Sequence, residues 1–331
     1  MRNSVIPEPA TVDVVLGGTL FCDLVFSGSS LPEPGAEVFA DGFVVTPGGT
    51  ANRAVAAARL GLRTGLLGVL GRDIFGERVA RMLAAEPGLD LRWLGRTEAH
   101  TPVTVSVTDE HDRSFITYEE PGTEAPDSWP GPLPRAGAVH AGLARPVPGW
   151  VGALRDAGAV VFGGVGWDAT NTWSPVVLDR LAEVDVFVPN EVEACRYTGT
   201  DDVRAALRAL GDRVGTVVIT RGAAGAVALD SGTGERAAVP AIPVHVVDPT
   251  GAGDVFVAAL MRGTLLGWDL ATRVRFAVLA ASLSVRSLGG AVSAPTPADI
   301  GRYLSEHAPG GDHGPIAAWA ATEPTHFGSQ G

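Results

Sequence analysis

A chain of 331 residues, 46% hydrophobic and 19% charged, is long enough to bury a substantial core. Its 43 glycines and 24 prolines make about a fifth of the total, below the roughly 25–30% at which disorder becomes the better reading. All 25 basic residues are arginine, and the absence of lysine excludes a Walker-A phosphate loop, a protein-kinase strand lysine, a pyridoxal Schiff base and a Schiff-base aldolase. The net charge of −12 disfavours nonspecific nucleic-acid binding. Charge-free stretches such as 42–52 fall well short of the ~18 apolar residues of a membrane span, so no membrane association is expected. Residues 1–11 are broken by Pro7 and Pro9 and hold no apolar signal core, which makes a cytoplasmic location the expectation. Two cysteines, Cys22 and Cys195, cannot frame a disulfide scaffold or a Cys-rich zinc site.

In chain order, residues 12–16 read as a first strand, 52–60 as a helix stopped by Gly61, 64–69 as the next strand, and 74–85 as a helix ending before Pro87. Further strands are predicted at 138–140, 159–162, 185–188 and 216–220, with helices at 174–182, 191–198 and 203–210. Residues 226–229 and 237–239 form a hairpin across the Gly-rich turn 231–234. This alternation is the pattern of an α/β fold with a mostly parallel sheet. Two strand-rich segments interrupt it, 36–45 and 102–118, the second turning at 109–112, and neither has a helix to complete a βαβ unit. They read as a small β-lid, drawn from about 34–46 and 98–120, or else as edge strands of the main sheet. The core spans 12–305, and the Gly-, Pro- and His-rich tail of 306–331 is expected to be flexible.

The strongest chemical signal is Asp248-Pro249-Thr250-Gly251-Ala252-Gly253-Asp254, running into the apolar stretch 255–260. Gly251, Ala252 and Gly253 put small residues where a loop enters a helix, so a ligand can approach the backbone. The first helical amides lack intrahelical acceptors and lie at the positive end of the macrodipole, which makes an anion site. Asp254 serves either as a helix cap or as a base beside that site. The second role suits phosphoryl transfer, in which amides stabilise the migrating group while a carboxylate takes the proton of an attacking hydroxyl.

The run 248–254 resembles the C-terminal signature of the ribokinase-like (phosphofructokinase B) family of carbohydrate kinases. Gly48-Gly49-Thr50-Ala51-Asn52, followed by Ala54, Gly61, Gly68 and the Gly71-Arg72-Asp73 turn with Gly76, is similar to its N-terminal signature. Asn190-Glu191-Val192-Glu193 resembles its Asn-x-x-Glu motif, and Thr220-Arg221-Gly222-Ala223-Ala224-Gly225 its nucleotide loop. The four stand in family order. The resemblance implies a three-layer α/β/α ribokinase-like core with a β-lid, ATP as cosubstrate, Mg²⁺, and transfer of a phosphoryl group to a sugar-type hydroxyl. It makes Asp254 the general base and Gly251, Ala252 and Gly253 the anion hole. Asp23, Gly48, Gly49 and Asn52 fall to the acceptor, and Asn190, Thr220, Arg221, Gly222 and Gly225 to the nucleotide. Glu193 would reach Mg²⁺ through water, and Asp248 with Ser293 are candidates for a K⁺ loop. A homodimer through the lid is the family default.

Plainer roles stand beside these. Asn52 is also a natural helix N-cap, Glu193 a solvated first-turn carboxylate, and Arg221 a surface cation. The chain departs from the family's ribose-type pattern: Phe21 replaces an asparagine two residues before the aspartate, the glycine pair lies one residue closer to Asn52, and a lysine there is missing. Phe21 therefore points to a more apolar or larger acceptor. Val278 stands where many relatives carry Asn or His by the adenine. Alternatives are a nucleoside kinase of the same fold, with Phe21 stacking on a base, and a noncatalytic sugar-binding regulatory module. A dinucleotide oxidoreductase is disfavoured because Leu16-Gly17-Gly18-Thr19 lacks the Gly-x-Gly-x-x-Gly spacing.

Overall fold

The computed structural model describes residues 10–28, 30–108, 113–168, 170–307 and 312–323. The N-terminal segment 1–9 and the turn at 109–112 lie outside the described residues. The chain opens with β1 (Val14–Gly17), β2 (Leu20–Ser27) and β3 (Gly42–Gly49), then α1 (Thr50–Arg59), β4 (Thr64–Gly71), α2 (Ile74–Ala84), β5 (Leu89–Asp90) and β6 (Leu94–Thr97). It continues through β7 (Val103–Thr108), β8 (Arg113–Tyr118), β9 (Ala138–Gly142), α3 (Gly149–Asp156), β10 (Val160–Gly164), α4 (Val176–Asp179) and β11 (Val186–Phe187). Next come α5 (Glu191–Thr198), α6 (Val203–Gly211), β12 (Thr216–Thr220), β13 (Ala226–Asp230) and β14 (Arg236–Val239). Four helices close it: α7 (Ala252–Leu265), α8 (Leu270–Ser284), α9 (Pro297–Glu306) and α10 (Gly314–Thr322).

The main sheet runs β14-β13-β12-β11-β10-β9-β1-β4-β5, with β6 also on β4. It is parallel from β12 to β5, and the hairpin β13–β14 adds antiparallel strands at one edge. Successive side chains of a strand point to opposite faces, so each face carries its own core. Val14, Leu16 and Ala138 pack on the α1, α7 and α8 side, whereas Val15, Val139 and Ala141 pack with Trp150, Leu154 and Leu207 of α3 and α6. The result is a three-layer α/β/α fold. Helix α7 is buried almost all round, from Val255 to Met261, because it lies between α1 and α8 as well as on the sheet.

A second, four-stranded sheet has the order β3-β2-β7-β8, with β2 and β7 parallel. Strand β2 was not expected. Residues 20–22 read as the end of an apolar run from β1, yet Gly17 and Gly18 break that run, and β2 leaves the main sheet. Its partner starts at Gly42 rather than near residue 36.

Within the segment expected to be a flexible tail, residues 314–322 form a helix, while 308–311 and 324–331 lie outside the described residues. Pro315 at the first turn of α10 pre-sets the helical backbone, and Ile316, Trp319 and Ala320, spaced one helical turn apart, are buried. Trp319 meets the rings of Phe276 and Trp268.

Candidate active site

The carboxyl ends of parallel strands, where loops lead into helices, are where open α/β sheets bind ligands. Helix α7 starts there. Gly251 is its N-cap in the left-handed region, at φ 73°, and no side chain caps the first turn. No side chain therefore satisfies the amides of that turn, as an anion site requires, although the Ala252 amide donates to the Pro249 carbonyl at 3.3 Å. Asp254 lies in the first turn and not at the cap position, so capping does not account for it.

Asp254 meets α1 through Arg53 and lies within electrostatic reach of Asp23 on β2. The Arg53 guanidinium on α1 donates from Nη2 to Asp254 Oδ1 at 2.7 Å, and both side chains are largely buried. Asp23 on β2 is buried, and burial together with the neighbouring Asp254 and Asp248 carboxylates pushes it up to about 7, against a hydrogen bond from Asn52. Asn52 is itself buried, in the first turn of α1, and the N-cap is Gly49, so Asn52 is not the cap. Gly48 makes room for this pair: a Cβ there would fall 2.1–2.3 Å from the Asp23 carboxyl atoms. Gly49 is in the left-handed region at φ 59°, under the Phe21 ring. Phe21 and Asp23, two residues apart on β2, share a face of the small sheet.

Asp248 is fully buried and works as a loop clasp, accepting from the amides of Thr250 at 2.8 Å and Gly289 at 3.0 Å. Ser293 closes the same turn by donating to the carbonyls of Ser284 and Gly290. Across the cleft, Thr46, opposite Asp23 in the β2–β3 ladder, donates to the Gly289 carbonyl at 3.0 Å. The small sheet and the turn after α8, which Asp248 clasps, thus share a buried bond.

The second group gathers at the ends of β11 and β12. Asn190 and Glu193 form a reciprocal capping box on α5, Asn190 Oδ1 accepting from the Glu193 amide and Glu193 Oε2 from the Asn190 amide, each at 2.8 Å. Glu193 is buried, not solvated, and burial pushes its carboxyl up to about 7. Asn190 pairs with Thr220 in a parallel bridge, and Arg221 Nε reaches Glu191 Oε2 at 3.4 Å, which brings the two motifs side by side. Gly222 at φ 53° and Gly225 at φ 83° shape the loop, and a Cβ at Gly225 would lie 2.0 Å from the Val239 carbonyl. Val278 is buried in α8.

Oxygen donors of this kind suit Mg²⁺, which takes few protein ligands and keeps its waters. Among the described residues, no three His, Cys, Asp or Glu side chains gather as a metal cluster. Any cation here would therefore depend on carbonyls, water and substrate phosphates as well as carboxylates.

Sequence reasoning missed Arg53 and His140. His140 projects from β9, and its Nδ1 lies 3.0 Å from Arg53 Nη1. Burial, reinforced by the Arg53 charge, holds the imidazole well below its ordinary range, so it is neutral. A guanidinium only donates, which makes Nδ1 the acceptor and leaves the proton on Nε2. The available signals were a histidine within the apolar strand Ala138–Gly142 and an arginine directly after Asn52.

A profile of the pfkB family of carbohydrate kinases matches residues 14–129 and 165–297. The chain is 28% identical to the ribokinase of Bacillus subtilis, over 87% of this chain and 98% of the relative. It is 30% identical to a nucleoside kinase of Methanothermobacter thermautotrophicus, over 85% and 92%. The Arabidopsis thaliana ribokinase, solved with ribose and ATP, superposes with a TM-score of 0.72 at 26% identity, covering 89% of this chain and 99% of that one. The chain belongs to the pfkB family of carbohydrate kinases and has the ribokinase-like fold.

Proposed function

We propose that the chain transfers the γ-phosphoryl group of ATP to a hydroxyl of a sugar or sugar-bearing acceptor held between the small sheet and α7. The observation that carries this reading is the position of Asp254 in the uncapped first turn of α7, electrostatically coupled to the buried Asp23. Asp23 and Asn52 hold acceptor hydroxyls, and Gly48 leaves the space they need. Asp254 takes the proton of the attacking hydroxyl as the new O–P bond forms and the bond to ADP breaks. The amides of Gly251, Ala252 and Gly253 receive the negative charge of the transferring group. Phosphoryl transfer asks the protein mainly for positioning and electrostatics, and backbone amides and arginine supply both without lysine.

At the other end, Thr220, Arg221, Gly222 and Gly225 carry the nucleotide, and Asn190 with Glu193 holds Mg²⁺ through water. The metal would neutralise phosphate charge there. A K⁺ ion beside the 289–293 turn, near Asp248 and Ser293, completes the reading of the anion-hole loop. The small sheet acts as a lid that excludes water.

Phe21 favours an acceptor with an apolar face at that edge, which keeps nucleosides beside sugars as candidates; one relative at 30% identity is a nucleoside kinase. The deciding experiment is a panel of pentoses, hexoses, keto-deoxy acids and nucleosides with ATP and Mg²⁺, with and without K⁺, scored by ADP release. At least one acceptor is expected to turn over, and Asp254→Asn to lose roughly 10²–10⁴-fold in kcat while still binding nucleotide. Full turnover by Asp254→Asn would remove the proposed base, and acceptor binding without any ADP release would favour a regulatory module.

A further inference from the structure

The buried Asp23 carboxyl lies within electrostatic reach of Asp254 and, more weakly, of Asp248, and both oppose its ionisation, so a cation at this end is favourable. Arg53 provides one. It comes from α1, which packs on α7, and its Nη2 contacts Asp254 Oδ1. Its Nη1 faces the neutral imidazole of His140 on the central strand β9. The two nitrogens of one planar group are thus fixed from two directions, one by a carboxylate and one by a ring nitrogen that can only accept. A guanidinium held at both ends has little rotational freedom, and it transmits that rigidity to the carboxylate it touches.

Other features of the site fit this role. Gly164 on β10 leaves the imidazole its place: a Cβ there would lie 2.8 Å from His140 Nε2. The Arg53 side chain is only 17% exposed, which is far drier than the peripheral Arg63–Asp13 pair, whose arginine is 62% exposed. Screening by solvent is correspondingly weaker at the Arg53 pair.

We propose that Arg53, oriented by His140, is the positioning residue of Asp254: it fixes the direction of the base toward the acceptor and balances the neighbouring carboxyl groups. This rests on the kinase reading above and adds to it a residue lying outside the glycine pair and the 248–254 run. No new chemical step is involved. Asp254 still takes the proton, and Arg53 touches neither the acceptor nor the phosphoryl group.

The test is a kinetic cycle with the acceptor identified by the panel. Arg53→Met is expected to lower kcat by about 10–100-fold, part of what a positioned base supplies, with the KM for ATP unchanged. Arg53→Lys, which keeps the charge but cannot span both partners, is expected to recover only part of that loss, and guanidinium ion added to Arg53→Ala to recover some. His140→Phe is expected to act in the same direction and less strongly. Arg53→Met in the Asp254→Asn background is expected to cost nothing further, because its effect passes through Asp254. An unchanged kcat in Arg53→Met, or an equal loss with and without Asp254, would overturn the proposal while leaving the kinase reading intact. Should the wild-type protein turn over no acceptor, the kinase reading falls. The pairing is then read from melting temperatures of the same cycle, in which additive losses overturn it.

Discussion

At the end of the cleft proposed for the nucleotide, each motif closes on itself within a few residues. Asn190 and Glu193 cap one another three positions apart, and the Arg221 amide bonds the Gly225 carbonyl to shut the loop. The end proposed for the acceptor is assembled from afar: Asp23 and Gly48 come from the small sheet, Asn52 and Arg53 from α1, His140 from β9, and Asp254 lies 201 residues beyond Arg53. The buried carboxyls at the two ends are both pushed up to about 7, yet Glu193 sits in a reciprocal cap whereas Asp23 faces other carboxylates. Local hydrogen bonding therefore sustains one end, and the tertiary fold must hold the other against its own charge.

That contrast is open to test. The largest effect is expected from Gly48→Ala, whose methyl would overlap the Asp23 carboxyl. Moving that group by about 1 Å is expected to lower kcat/KM for the acceptor by about 10²-fold, and turnover near the wild-type level would show that the acceptor end is less crowded than described.

The next effect is on stability. Asp23 is raised from 3.8 to about 7 in the folded protein. The folded state then holds a proton that the unfolded chain has already released, so stability falls as pH rises from about 4 to about 7 and stays lowered above that. Asp23→Asn removes the burden. Its melting temperature is expected to exceed that of the wild type at pH 8, by the equivalent of a few kcal/mol, with the gap closing near pH 4, although acceptor affinity is lost. A constant gap across that range would place the titration elsewhere.

The smallest effect belongs to the nucleotide end. In Gly222→Ala the methyl meets nothing within 4 Å, and only the φ of 53° penalises it. A loss of about 1–2 kcal/mol in stability is expected, with the acceptor KM unchanged; a shift in that KM would mean the two ends are not separate.

The same contrast explains what was legible in the sequence. The αβ alternation, the β13–β14 hairpin and the short motifs survive as local spacing, because their geometry depends on neighbours in the chain. Strand β2 was hidden because residues 20–22 are as apolar as β1, and only the glycines at 17 and 18 mark the change of sheet. Helix α10 was hidden by the Gly- and Pro-rich residues around it, although Ile316, Trp319 and Ala320 carry a helical spacing. Arg53 was missed because an arginine on a helix ordinarily reaches solvent, and no pattern within α1 announces a carboxylate two hundred residues away. His140 looked like one more strand residue until its neighbours were in place.

The bond from Thr46 to the Gly289 carbonyl joins β3 to the turn whose amide closes on Asp248, immediately ahead of α7. The small sheet cannot tilt independently of that turn without breaking this bond and leaving the buried Thr46 hydroxyl only the Pro47 carbonyl at 3.3 Å. Displacing β3 would consequently pull on the helix start from behind as well as on its own Gly48–Gly49 end.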